Sequence, residues 1–243
     1  MATSTLSKMP ADGLEPESNQ PAPSQTQPLA GATAWPHPSW YSFQPATPNN
    51  GLSLSLPPFP ATPTSPETPL FLTPLYSNDA SSMQQIMSNP RVAAALLNVP
   101  IPYGIAEANS WIALNGDSSS SGLLTWAIRI HYPNDAGLFI GSVSLTNKTG
   151  PDGAVMYELG YSLSPEFWGR GIMKNAVFAL MIWATEEAGV EEVYVRVEST
   201  NGRSKGVIDG IPGFVGEEDQ EIDWKGGKKV VRMWRWKARK STD

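Results

Sequence analysis

The 243-residue chain has a formal net charge of −6, no cysteine, and only two histidines, His37 and His131. Disulfides, thiolate nucleophiles and cysteine metal sites are excluded, and a zinc centre or a Ser-His-Asp hydrolase has too little imidazole to work with, so no metal is expected. The acidic balance gives no footprint for nucleic acid, no apolar run approaches the ~18 residues of a membrane span, and no secretory segment opens the chain; a cytoplasmic, or also nuclear, protein with no membrane partner is expected.

Fourteen of the 23 prolines lie in residues 1–66, which carry only four charged side chains, Lys8, Asp12, Glu15 and Glu17. Such a segment supports no periodic helix or strand, so 1–66 reads as a disordered tail and 67–240 as the folded domain. Within the tail, residues 35–43 hold Trp35, Trp40, Tyr41 and Phe43. They read either as an unstructured sticky stretch or as a short motif that docks on a partner or on the folded domain.

Order is expected from Leu70. A short strand at 71–75 precedes a helix at 79–87, with Asn78 as its cap and Ala80, Met83, Ile86 and Met87 on one face. A second helical stretch at 92–97 ends at Pro100, and a third at 106–114 ends at Asn115-Gly116. Strands at 123–131 and 138–146 flank a turn at 133–137, and a further turn at 149–153 leads into a strand at 155–163. That strand meets Pro165, passes a turn bracketed by Gly169 and Gly171, and feeds an apolar helix at 172–188 stopped by Gly189. The helix N-terminus presents unpaired N–H groups backed by the helix dipole, a place that attracts phosphate. A strand at 193–197 follows, and strand–helix–strand order makes the two strands parallel. A short helix then starts at Asn201, and a hairpin of 214–224 and 230–237 closes the chain.

Three stretches carry a family resemblance: Gly160-Tyr161-Ser162-Leu163-Ser164-Pro165-Glu166-Phe167-Trp168-Gly169-Arg170-Gly171-Ile172-Met173; Val195-Arg196-Val197 with Asn201-x-x-Ser204; and Met233-Trp234-Arg235-Trp236. Over 69–239 the chain resembles the GNAT acyltransferases, in particular their ribosomal-protein (Rim-type) N-acetyltransferase branch. The resemblance implies an α/β GNAT fold: a mixed, mostly antiparallel sheet whose central parallel strands splay apart, flanked by helices. It implies acetyl-CoA as co-substrate, its pantetheine pairing with Tyr161, Ser162 and Leu163. Its diphosphate would lie on Trp168, Gly169, Arg170, Gly171, Ile172, Met173 and Lys174, with Asn201 and Ser204 on the pantetheine and thiol side. The acceptor would be an amine, first a protein N-terminus and second a small molecule.

Four positions depart from the wider family, Trp168, Met173, Ile208 and Arg196, the last where some relatives carry a glutamate base. Its Gln/Arg-x-x-Gly-x-Gly/Ala signature reads Trp168-x-x-Gly171-x-Met173, and its tyrosine acid falls on Ile208. Ser204 is therefore the candidate proton donor to the leaving thiolate, against the plainer role of a hydroxyl satisfying its own helix end. Glu158, Glu221 and Asp223 are the candidate bases, the last two on one face of a strand. The competing class is a non-catalytic acyl-CoA-binding or scaffolding module.

Overall fold

The computed structural model describes residues 37–44, 53–59, 67–97, 99–115, 124–130, 137–150, 153–224 and 227–238. Among the described residues nine strands form one sheet: β1 (Phe43–Gln44), β2 (Ser53–Phe59), β3 (Thr68–Thr73), β4 (Leu124–Ile130), β5 (Leu138–Thr149), β6 (Val155–Leu163), β7 (Glu192–Glu198), β8 (Val215–Trp224) and β9 (Gly227–Lys237). Their order across the sheet is β1-β2-β3-β4-β5-β6-β7-β9-β8. The helices are α1 (Ala80–Ser88), α2 (Pro90–Ala93), α3 (Ile105–Asn115), α4 (Ile172–Glu186) and α5 (Gly202–Ile208). Every neighbouring pair is antiparallel except β6 and β7.

Strand alternation separates two cores. On β4, Trp126, Ile128 and Ile130 pack with α4, while Ala127 faces the cluster built by Met83, Ile86, Ala108 and Ile112 of α1 and α3. The sheet is thus covered by α1 and α3 on one face and by α4 on the other. Helix α4 buries ten of its fifteen residues, which explains an apolar surface too broad for a solvent-facing helix.

The domain boundary expected at residue 67 needs correction. Residues 37–44 and 53–59 belong to the folded unit: β2 pairs with β3 through Leu54↔Leu72 and Leu56↔Leu70, and both leucines are buried against the α4 core. The inward period of Leu54 and Leu56 is a strand signal, obscured by the surrounding proline. Pro57 and Pro58 fit because β1 covers only Ser53 and Leu54 of β2, and the register with β3 shifts beside them. The aromatic segment docks within the chain. Trp40, Tyr41 and Phe43 pack on the core, the Trp40 and Phe178 rings lie 6.3 Å apart, and His37 Nε2 is 2.7 Å from Glu186. Trp35, His131, the turn at 133–136 and the tail through residue 36 lie outside the described residues.

Smaller differences concern helix ends. Asn78 is no cap: residues 77–79 form a 3-10 turn, and α1 begins one residue beyond it. The second helix starts at Pro90 because the Asn89 side chain accepts from Arg91 N, which leaves proline at the position that needs no N–H.

Candidate active site

Strand β6 pairs with β5 along its whole length, from Gly141↔Leu163 to Thr149↔Val155, but with β7 only at Tyr157↔Val193 and Glu158↔Tyr194. Beyond Glu158 the two parallel strands diverge, so the β7-facing edge of residues 159–163 has no strand partner. The carboxyl end of β6 then meets Pro165 in a 3-10 turn over Pro165–Phe167. Trp168 folds its ring back and donates Nε1–H to the carbonyl of Leu163 at 2.8 Å. Gly169 and Gly171 have φ of 75° and 74°, the left-handed region that favours glycine, and Gly171 caps α4. This is the backbone geometry that leaves helix N-terminal N–H groups open to an anion.

The splayed edge, the glycine loop and α5 enclose one cavity of ≈ 590 Å³. All of Tyr161, Ser162, Leu163, Trp168, Gly169, Arg170, Gly171, Ile172, Met173, Lys174, Asn201 and Ser204 line it. The opposite wall is residues 91–92 and 94–96, from α2 and the turn after it.

Inside the cavity the Tyr161 hydroxyl is 2.6 Å from Ser204 Oγ and 3.2 Å from the Ser204 carbonyl. Burial pushes the phenol pKa up to about 12, against a smaller downward pull from the Ser204 bond. Tyr161 therefore keeps its proton through the neutral and mildly alkaline range. Asn201 accepts from Ser204 N at 3.1 Å and so caps α5. Ile208, where the family tyrosine would fall, is fully buried in the core and does not line the cavity. Lys174 reaches past Gly210, where an added Cβ would sit 2.9 Å from Lys174 Cε.

The three carboxylates named from sequence lie outside this cavity. Glu158 accepts from Arg196 at 2.6 Å and lies 3.9 Å from Lys148. Glu221 pairs with Lys228 on the outermost strand, and Asp223 is exposed there, opposite Lys228 in the register. The acidic run on β8 is largely matched by β9: Arg235 with Glu217, Arg232 with Asp219, and Lys228 with Glu221.

The carboxylate that does line the cavity is Glu198, at the end of β7. Lys229 holds it at 2.7 Å, donates to Ala94 O at 2.9 Å, and lies 3.9 Å from the centre of the Trp224 ring. Trp224 Nε1 donates to Leu97 O, so the turn after α2 is stapled to the β8–β9 hairpin. Sequence reasoning missed Glu198, Arg91 and Arg203. An acid closing a strand three residues before Asn201 was the available signal for Glu198. Arg91 had none, because only the tertiary fold brings α2 to this wall.

Gly141 sets how closely β5 approaches the splayed strand. A Cβ there would sit 2.4 Å from Ser162 O and 3.0 Å from Leu163 Cα, both backbone atoms that cannot rotate away. Gly141→Ala is expected to cost roughly 1–3 kcal/mol, the usual range for overpacking, and to displace residues 162–163. Thermal melting against a distant alanine control checks this; an unchanged melting temperature would contradict it.

Parallel strands splayed beside a glycine loop at a helix N-terminus, with a half-buried hydroxyl pair in the gap, define an acyltransferase. The chain belongs to the acetyltransferase (GNAT) domain family, whose model it matches over residues 70–211. No curated protein matches it significantly. Among solved structures it is similar to RimJ of Mycobacterium smegmatis in complex with CoA-disulfide (16% identity, 70% of this chain and 82% of that one, TM-score 0.57). It is also similar to RimL, a ribosomal L7/L12 alpha-N-protein acetyltransferase in complex with coenzyme A (19%, 74% and 98%, 0.56). A third is a spermidine N-acetyltransferase SpeG chimera from Vibrio cholerae and hSSAT (15%, 69% and 95%, 0.53). At these identities the likeness is one of fold. Among the described residues no helix is long and apolar enough to cross a membrane.

Proposed function

We propose that this chain transfers an acetyl group from acetyl-CoA to a primary amine, with a protein N-terminus as the acceptor. The observation that carries the reading is the single cavity joining the open edge of β6 to the glycine loop, with the Tyr161–Ser204 pair between them. The residues fit the co-substrate. The β6 edge at 161–163 offers an unpaired strand for the pantetheine amides, Gly169 to Met173 offer N–H groups, and Arg170 and Lys174 add positive charge for the diphosphate. Acetyl-CoA supplies an activated thioester. The chain's own residues position the amine, hold a donor beside the thioester carbonyl, and return a proton to the sulfur side. Ser204 Oγ is the proton donor and Tyr161, still protonated at working pH, replenishes it at 2.6 Å. Glu198 is the carboxylate past which an ammonium enters. Glu158, Glu221 and Asp223, outside the cavity, serve the acceptor only if a water chain connects them. The catalytic unit is proposed to run from 67 to 240, with 37–44 and 53–59 extending its sheet.

Four cations, Arg91, Arg170, Lys174 and Arg203, line the cavity against one carboxylate already bound to Lys229, a balance that suits the anionic co-substrate. RimL acts on a ribosomal protein's amino terminus by its name, and the chain's own resemblance to that branch points the same way. The test is thiol release from acetyl-CoA across a panel of N-terminal peptides, spermidine and aminoglycosides. Release is expected with peptides first; acetyl-CoA binding with no release anywhere would leave only a binding module, and no binding would end the proposal.

A further inference from the structure

The glycine loop accounts for a diphosphate, but two cations of the cavity remain unused by that reading. Arg91, from α2, has its guanidinium carbon 4.7 Å from the centre of the Trp168 ring, and Arg203, from α5, has its own 5.0 Å from the same centre. The two positive charges are therefore no more than about 10 Å apart, about one Debye length at 0.1 M salt. Neither is in an ion pair among the described residues, whereas Arg129, Arg196, Arg232 and Arg235 each are. Gathering unpaired cations on one ring in a protein of net charge −6 opposes their mutual repulsion.

Stacking explains how they are held there. A guanidinium lying over an indole face is retained by the ring quadrupole, and its N–H donors stay at the edge, available for a bidentate anion. Trp168 is a fixed platform because its own N–H is committed to Leu163 O. Three separate elements, α2, the loop after β6 and α5, converge on this ring.

We propose that Arg91 and Arg203, gathered on Trp168, form an anion-binding subsite of the cavity distinct from the glycine loop, taking a phosphate monoester or a carboxylate. It rests on the acetyl-transfer reading and deepens it. Two ligands could bring that chemistry: the 3′-phosphate of CoA, or an acidic side chain next to the acceptor amine. In either case a planar fork is required, so lysine is a poor substitute.

The experiment uses the full chain and has two arms. Calorimetric titration compares acetyl-CoA with acetyl-dephospho-CoA, which lacks the 3′-phosphate. Steady-state kinetics compares N-terminal peptides that differ only in an aspartate or asparagine at the second residue. In one arm the wild type is expected to prefer the anionic member by about tenfold or more, as charge-assisted bonds from two guanidiniums should give. Arg91→Gln and Arg203→Gln should each shrink that preference severalfold, the double variant should bring the ratio close to one, and Arg203→Lys should recover little. The arm in which the ratio collapses identifies the source of the anion. A wild type indifferent in both arms, or a preference that survives the double variant, overturns the subsite while leaving acetyl transfer intact. Absence of acetyl-CoA binding by the wild type overturns both together.

Discussion

Ser204→Ala is expected to lower the turnover of acetyl transfer by roughly 10²-fold, the lower end of what a positioned general acid contributes, with a much smaller change in acetyl-CoA affinity. The geometry that sets this expectation is the 2.6 Å contact between Ser204 Oγ and the Tyr161 hydroxyl in the gap between β6 and α5. A serine hydroxyl alone is a weak acid. In the proposed mechanism its coupling to a phenol whose pKa burial raises to about 12 makes it one link in a chain that gives and regains a proton within the site. Tyr161→Phe should consequently reduce turnover by a similar order, and the double variant should fall little further than the worse single one, because residues acting as a unit are non-additive. A merely structural role would look different. Loss of the Tyr161 bonds would then cost about 1 kcal/mol of stability, with the two effects adding and KM rising alongside any fall in kcat. Turnover of Ser204→Ala within threefold of the wild type would remove the acid role.

The pair also shows what the chain's own order of residues made legible and what it hid. Strand β6, the glycine turn and α4 could be read because local signals agree: Pro165 and two positive-φ glycines punctuate a strand that the structure places at Val155–Leu163. The glycine-loop side of the cavity follows from that one run. Its other wall does not, because Arg91 and Glu198 reach the gap through the packing of α1 and α2 and the divergence of β7. Arg91 is neither periodic nor motif-like in the chain, and Glu198 is marked only as the acid that closes β7 three residues before Asn201. The acids of β8 are conspicuous in the sequence as charge, whereas only the fold shows that three of them, Glu217, Asp219 and Glu221, are paired with cations of β9. Strand β2 was hidden for a third reason: proline-rich composition argues for disorder, yet two alternating leucines beside an open β3 edge suffice to pair it.

Arg129 carries the largest expected effect on stability. Its side chain lies in the sheet interior with 2% exposure, and its partner Asp79 has 3%. Nε donates to Thr73 Oγ1 at 2.7 Å, and one terminal nitrogen donates to Asp79 Oδ1 at 2.8 Å. The other bridges Asp79 Oδ2 and the Pro74 carbonyl, and the guanidinium carbon stands 4.4 Å from the centre of the Tyr76 ring. Asp79 also accepts from Tyr76 N at 2.7 Å. This arrangement ties the end of β3 to the turn that launches α1, and α1 with α3 supplies the second core. Arg129→Met leaves Asp79 as an uncompensated buried charge, which typically costs about 3–5 kcal/mol, a large share of the ~5–15 kcal/mol that holds a domain together. For a unit of this size the melting temperature should fall by roughly 10 °C. Asp79→Leu should cost a similar amount. The two together should cost clearly less than their sum, because the second change removes the charge that the first stranded. Thermal melts of the four proteins decide the matter: single variants within about 1 kcal/mol of the wild type, or strictly additive losses, would show that the pair does not hold α1 to the sheet.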